Sequence, residues 1–298
     1  MKRELMIYAC LFALSAEAQT GESLIAPGAK VEKVADGFRF TEGPAADRWG
    51  NVYFTDQPND RIFIWSTGGE LSTFHENPGR ANGLYFDRQN RLIACSDRDN
   101  ELWRFDAEGN HTVIVKDFNG KKLNGPNDLW VDPQGGVYFT DPLYARDYWT
   151  RPPEMQQPGE YLYYVTPDLG SVRCVDTNLE QPNGIIGSPD GKRLYVSDIR
   201  AQKTYVYTIR FDGELTHRQL FTAMGSDGMT LDEQGNIYLT GRGVTVFSPA
   251  GEFLEHIPVE AAWTANVCFG GKDRQTLFIT ASQALYTLRM RVKGALFF

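Results

Sequence analysis

Histidine and cysteine are scarce. The 298-residue chain has four of each, and neither set shows the close spacing of a zinc site. His75, His111, His217 and His256 are scattered. Cys10 falls in an N-terminal stretch expected to be removed. That leaves Cys95, Cys174 and Cys268, an odd number unsuited to a disulfide framework. All three read as small buried hydrophobes, not as nucleophiles or ligands. An excess of basic charge is also missing. Thirty Lys and Arg face 38 Asp and Glu, a net charge of -8, which lacks the positive footprint of a nucleic-acid binder. Beyond the N-terminus no apolar run is long enough to span a bilayer.

The one apolar run that stands out is terminal. Lys2 and Arg3 precede a mostly apolar Leu5–Leu14, and Ala16-Glu17-Ala18 has the small-x-small pattern of a signal-peptidase site. The expectation is a signal peptide over 1–18 and one domain over 19–298, exported to the periplasm or secreted. Cys10 follows Tyr8-Ala9, a poor match to a lipid-attachment box, so no membrane anchor is expected. The sequence gives no indication of oligomeric state.

The rest of the chain is rich in aromatic residues punctuated by 29 Gly and 15 Pro, a pattern of many short strands. One signature recurs six times: an apolar run closing on Thr or Ser, then usually Asp. The copies are Val52–Asp56, Leu92–Asp97, Val137–Asp141, Leu194–Asp198, Ile237–Gly241 and Leu277–Ala281. Each follows a polar hairpin-type turn. Ahead of each turn stands a polar residue: Glu42, Asn82, Asn127, Asn183, Asp227 or Asn266. From it to the central ring or Ile position of the run the gap is eleven residues in four copies and twelve in two. Successive leading residues are 40, 45, 56, 44 and 39 positions apart. This period, with several strands per unit, indicates an all-β fold, a six-bladed β-propeller. The sixth unit runs out after Leu285–Met290, so Val31–Phe38 is expected to supply its outer strand and leave no open edge. The third unit carries the longest insertion, Pro142–Gly159, read as a loop over one mouth of the channel.

In a propeller the first strand of each blade lines the axis, so the six leading residues should form a ring. Every one has a side-chain oxygen and none is Lys, His or Cys. Six such oxygens suit a hard divalent cation, calcium first, with zinc, manganese and magnesium left open because availability also decides occupancy. The competing explanation is structural, since Asn-Gly and Asp-Gly are common turn steps. A lone cation beside carboxylates suggests hydrolysis of an ester. Asp227 is the better candidate base, Asp128 being offset by one from the ring, and Glu42 is assigned to ligation.

These residues also match a known group. Glu42-Gly43-Pro44, Pro126-Asn127-Asp128, Phe139-Thr140-Asp141-Pro142, Pro182-Asn183-Gly184, Asp227-Gly228-Met229 and Phe269-Gly270-Gly271 make the chain, from about Val31 to Met290, resemble the senescence marker protein, gluconolactonase and luciferin-regenerating-enzyme family. The resemblance implies one divalent ion held by Glu42, Asn183 and Asp227, with Asn127 on the ion or the substrate. It also implies Asp227 as general base in opening a sugar lactone. Asn82 and Asn266 would support the ring. Asn124, Asn127 and Arg146 are the expected substrate contacts. Gly125 stands where animal members have Arg, so Leu123–Asn127 looks more like bacterial gluconolactonases. Thr230 stands where phosphotriesterase members have a carboxylate, which argues against a second metal. An esterase or phosphotriesterase on the same ion, and a non-catalytic sugar- or protein-binding propeller, are the alternatives. N-terminal sequencing of the exported protein is expected to begin at Gln19; an intact Met1 in the exported fraction would refute the cleavage site.

Overall fold

The computed structural model describes residues 22–296, so the expected signal peptide lies outside the described residues. Twenty-four strands form six four-stranded antiparallel sheets. The chain enters with β1 (Glu32–Asp36). Blade one is β2 (Thr41–Ala46), β3 (Val52–Asp56), β4 (Arg61–Trp65) and β5 (Leu71–Glu76). Blade two is β6 (Ala81–Phe86), β7 (Leu92–Ser96), β8 (Glu101–Phe105) and β9 (His111–Val115). Blade three is β10 (Leu129–Val131), β11 (Val137–Asp141), β12 (Tyr161–Val165) and β13 (Val172–Asp176). Blade four is β14 (Pro182–Gly187), β15 (Arg193–Asp198), β16 (Lys203–Ile209) and β17 (Leu215–Thr222). Blade five is β18 (Met229–Leu231), β19 (Ile237–Gly241), β20 (Gly243–Phe247) and β21 (Phe253–Ile257). Blade six is β22 (Thr264–Gly270), β23 (Thr276–Ala281) and β24 (Ala284–Arg289), completed by β1. The inner strands touch in a closed circle: β2, β6, β10, β14, β18, β22 and back to β2.

Closure is as expected from the sequence. β1 pairs with β24 from Glu32 opposite Thr287 to Asp36 opposite Ala284, so both ends of the propeller share one sheet and blade six is completed to four strands. The middle strands are buried on both faces, which is why their runs are apolar without alternation. Rings bridge the gaps between blades: Tyr53 packs edge-on against Phe86 at 4.9 Å and Tyr238 against Phe269 at 5.3 Å. Cys95 and Cys268 are buried as expected, whereas Cys174, on an outer strand, is only half-buried.

The recurring Thr/Ser and Asp of the signature have separate tasks. In three copies the hydroxyl reaches across to the next blade: Thr55 Oγ1 donates to Asn82 O at 3.1 Å, Thr140 Oγ1 to Asn183 O at 2.8 Å and Thr240 Oγ1 to Ala265 O at 2.8 Å. The aspartate accepts backbone amides of the segment leading into its own inner strand. Asp56 takes Arg39 and Phe40, Asp141 takes Asn124 and Gly125, and Asp198 takes Glu180 and Gln181. These amides lie three and two residues before Glu42, Asn127 and Asn183, so the signature both joins the blades and places the ring.

Thr240 is fully buried, and its hydroxyl also accepts the Gly228 amide at 2.8 Å. Thr240→Val keeps the shape and strands two backbone groups. A loss of about 1–3 kcal/mol in denaturant unfolding is expected; unchanged stability would show that the hydroxyl does not join the blades.

Candidate metal-binding and catalytic site

The leading polar residues do form the innermost ring, but not as turn residues. Glu42, Asn82, Asn183 and Asn266 lie inside inner strands, at or beside breaks in pairing register: Glu42 to Ala45, Ala81 to Leu84, Pro182 to Ile185 and Thr264 to Asn266. A β-bulge re-aims a side chain, and here it accompanies the turn toward the axis. Asn127 and Asp227 instead sit just before their short inner strands, β10 and β18. The glycines that follow serve close approach. A Cβ on Gly43 would lie 2.1 Å from Asn82 O, and one on Gly228 would lie 2.0 Å from Asn266 Cγ. Gly83 and Gly184 face Asn127 and Asp227 of the next blade in the same way. Any larger residue would push the ring apart.

The ring is crowded with acid. Asn266 Nδ2 donates to Glu42 Oε2 at 3.2 Å and to Asp128 Oδ2 at 3.4 Å, so one amide sits between two buried carboxylates. Burial, with Asp227 and then Asp128 as like charges, holds the Glu42 carboxyl well above its ordinary range. Burial also pushes Asp128 up to about 7. Asp227 is raised to about 6, again by burial, with the Trp263 and Asn183 side chains and the Arg146 charge acting in the other direction. Asp128 and Asn266 also face a cavity of about 200 Å³ that enters from the far end of the axis between Ala45, Leu84, Met229 and Val267.

Two neighbours orient the mouth. Trp263 Nε1 donates to Asp227 Oδ2 at 2.6 Å. Asn183 Nδ2 donates to the Tyr144 hydroxyl at 2.9 Å, which fixes the amide and leaves Asn183 Oδ1 buried with no hydrogen-bond partner. Asn82 Oδ1 is in the same condition. Buried, unpartnered carbonyl oxygens beside desolvated carboxylates are costly, and a hard cation would satisfy both. Among the described residues no group of three or more His, Cys, Asp and Glu is placed to hold a metal. A cation here would therefore need amide oxygens as well as carboxylates. Glu42, Asn183 and Asp227 fit that requirement. Asn127 is buried in the same ring, its backbone oxygen accepting Gly83 N at 2.8 Å.

The profile of the SMP-30/Gluconolactonase/LRE-like region matches residues 40–283. The chain belongs to this family. It is 29% identical to a gluconolactonase of Zymomonas mobilis over 89% of this chain and 82% of that one. It is 28% identical to the diisopropyl-fluorophosphatase of Loligo vulgaris over 74% of this chain and 78% of that one. The solved structure of a gluconolactonase from Xanthomonas campestris superposes with a TM-score of 0.82 at 29% identity, covering 90% of this chain and 91% of that one.

One expected substrate contact of this family member is overturned. Asn124 is fully buried, and its amide is spent inside the protein. Its Nδ2 donates to Gly159 O at 2.9 Å, and its Oδ1 accepts Gln156 N and Gln157 N at 2.9 and 3.0 Å. It staples the blade-three insertion and has no face toward the channel. Arg146 is partly exposed and stacks 5.5 Å from the Tyr144 ring, which places it at the mouth. Asp128 was set aside for its offset, yet it is a buried neighbour of Glu42. Trp263 had no sequence signal, since it lies in the irregular stretch before β22.

A cation requires the ionised carboxylates, so protons compete with it. As pH falls through about 6, the Asp227 value, divalent-ion affinity is expected to weaken, with protons released on binding. Calorimetry in buffers of different ionisation enthalpy checks both; pH-independent affinity would exclude these carboxylates as the site.

Proposed function

We propose that the protein is a metal-dependent lactone hydrolase acting on an aldonolactone of the gluconolactone type, exported from the cytoplasm. The observation that carries this is the Asn183 amide, held by Tyr144 so that a bare buried oxygen stands beside Asp227 in a carboxylate-rich ring. The gluconolactonase names of relatives at 29% identity support the substrate class.

Glu42, Asn183 and Asp227 would hold one divalent ion, calcium first among the candidates on oxygen-donor chemistry. When bound, the ion would polarise the lactone carbonyl and favour negative charge on its oxygen. Trp263 occupies one oxygen of Asp227, which leaves Oδ1 to take a proton from the attacking water. Burial raises the Asp227 carboxyl in the ion-free protein, and beside a bound ion it would fall again, leaving Asp227 ionised and able to accept a proton. Water adds its oxygen to the carbonyl carbon, the ring C–O bond breaks, and the proton passes from Asp227 to the departing ring oxygen. The product is the open hydroxy acid. Arg146 and Asn127 are left to contact the hydroxyl groups of the substrate.

Acid release from glucono-1,5-lactone, followed at constant pH, tests the reading. Turnover is expected to fall to background in excess chelator and to return with calcium. Asp227→Asn at saturating ion is expected to lose about 100-fold or more in kcat. Full activity in either arm would overturn the mechanism, and a metal-loaded protein that opens no lactone would favour a binding role.

A further inference from the structure

The repeat that builds the propeller changes at the end of blade two's middle strand. Asp56, Asp141 and Asp198 accept the amides leading into their own inner strands, but in blade two pairing register puts Ser96 at that position, opposite Ala81 as Asp56 is opposite Thr41, and Asp97 is the next residue, just past the strand. In blade two the corresponding amide, Arg80 N, goes instead to Asp60 Oδ1 at 2.5 Å. Asp97, one residue beyond that position, has other partners. Its Oδ2 accepts Arg146 Nε at 3.0 Å, Gln57 Nε2 at 2.7 Å and the Tyr148 hydroxyl, and its backbone oxygen accepts Trp149 Nε1 at 2.8 Å. Arg146, Tyr148 and Trp149 all belong to the blade-three insertion. One buried aspartate of blade two therefore pins the mouth loop of blade three.

The consequence for the site runs through Arg146. Its Nε is committed to Asp97, and no other hydrogen bond is made by its side chain among the described residues. Its two terminal nitrogens are unspent. The guanidinium stacks on Tyr144, whose hydroxyl holds Asn183. A planar guanidinium anchored at one edge presents a pair of donors in fixed orientation to substrate oxygens. An unanchored one would sample many rotamers and lose that preorganisation.

We propose that Asp97 is a positioning residue that sets substrate specificity: it fixes Arg146 so that its terminal nitrogens bind hydroxyl oxygens of the lactone away from the carbonyl. The substrate half of this rests on the lactonase reading; the pinning of the loop does not. Asp97→Asn keeps the size of the side chain and removes its charge. At saturating ion, Asp97→Asn is expected to raise KM for gluconolactone about tenfold while kcat changes by less than about twofold. Arg146→Met should raise KM as much, and the double variant should be no worse than Arg146→Met alone. Chymotrypsin should also cut Asp97→Asn faster than wild type within 142–159, at Tyr144, Tyr148 or Trp149. Unchanged KM, a fall in kcat alone, or additive effects in the double variant would overturn the specificity role. Unchanged cleavage would overturn the pinning. A wild type that opens no lactone would sink the lactonase reading and with it the substrate half, while the cleavage comparison would still decide whether Asp97 holds the loop.

Discussion

Three carboxylates, Glu42, Asp128 and Asp227, meet around one axis under conditions where water cannot screen them. Each is raised by burial, and Glu42 is raised further by the other two. A site of this kind is unstable as a set of free anions. It must keep protons, share amide donors such as Asn266, or hold a cation. The rest of the architecture can be read as the means of sustaining that strain: six sheets whose inner strands touch in a closed circle, with β1 joining the two ends of the chain in blade six and glycines at the points where neighbouring backbones must touch.

The same signature serves stability and function at different positions. Thr55, Thr140 and Thr240 tie blade one to two, three to four and five to six, and Asp56, Asp141 and Asp198 fix the approach to the ring. These groups are internal to the scaffold and repeat in register. Departures from register mark places where the fold does something else. Asn127 and Asp227 precede their strands instead of lying inside them. Asp97, one residue past its strand, holds a neighbouring loop.

The chemistry at the mouth depends on neighbours that hold one atom and leave another bare. Tyr144 takes the nitrogen end of Asn183 and leaves the oxygen; Trp263 takes one oxygen of Asp227 and leaves the other. Asn124 shows the opposite case: every polar atom of its side chain is used within the protein, so it supports the insertion and cannot reach a ligand. A polar residue near a motif is informative about binding only once its hydrogen-bond capacity has been counted.

Six blades, their order, the closing strand and the ring of oxygen-bearing residues were all legible in the residues alone, because hydrophobic runs and turn residues that recur six times leave few other ways to bury the sheets. The Asn-Gly steps were legible as positions but not as conformations, since a bulge inside a strand and a hairpin turn favour the same residues. Only the folded chain decided that Asp128 joins the ring, that Trp263 reaches Asp227 across 36 residues, and that Asp97 and Arg146 meet across 49. These contacts join segments from different blades. No local pattern encodes them, because the distance between two blades is set by how whole sheets pack and not by the residues that eventually touch.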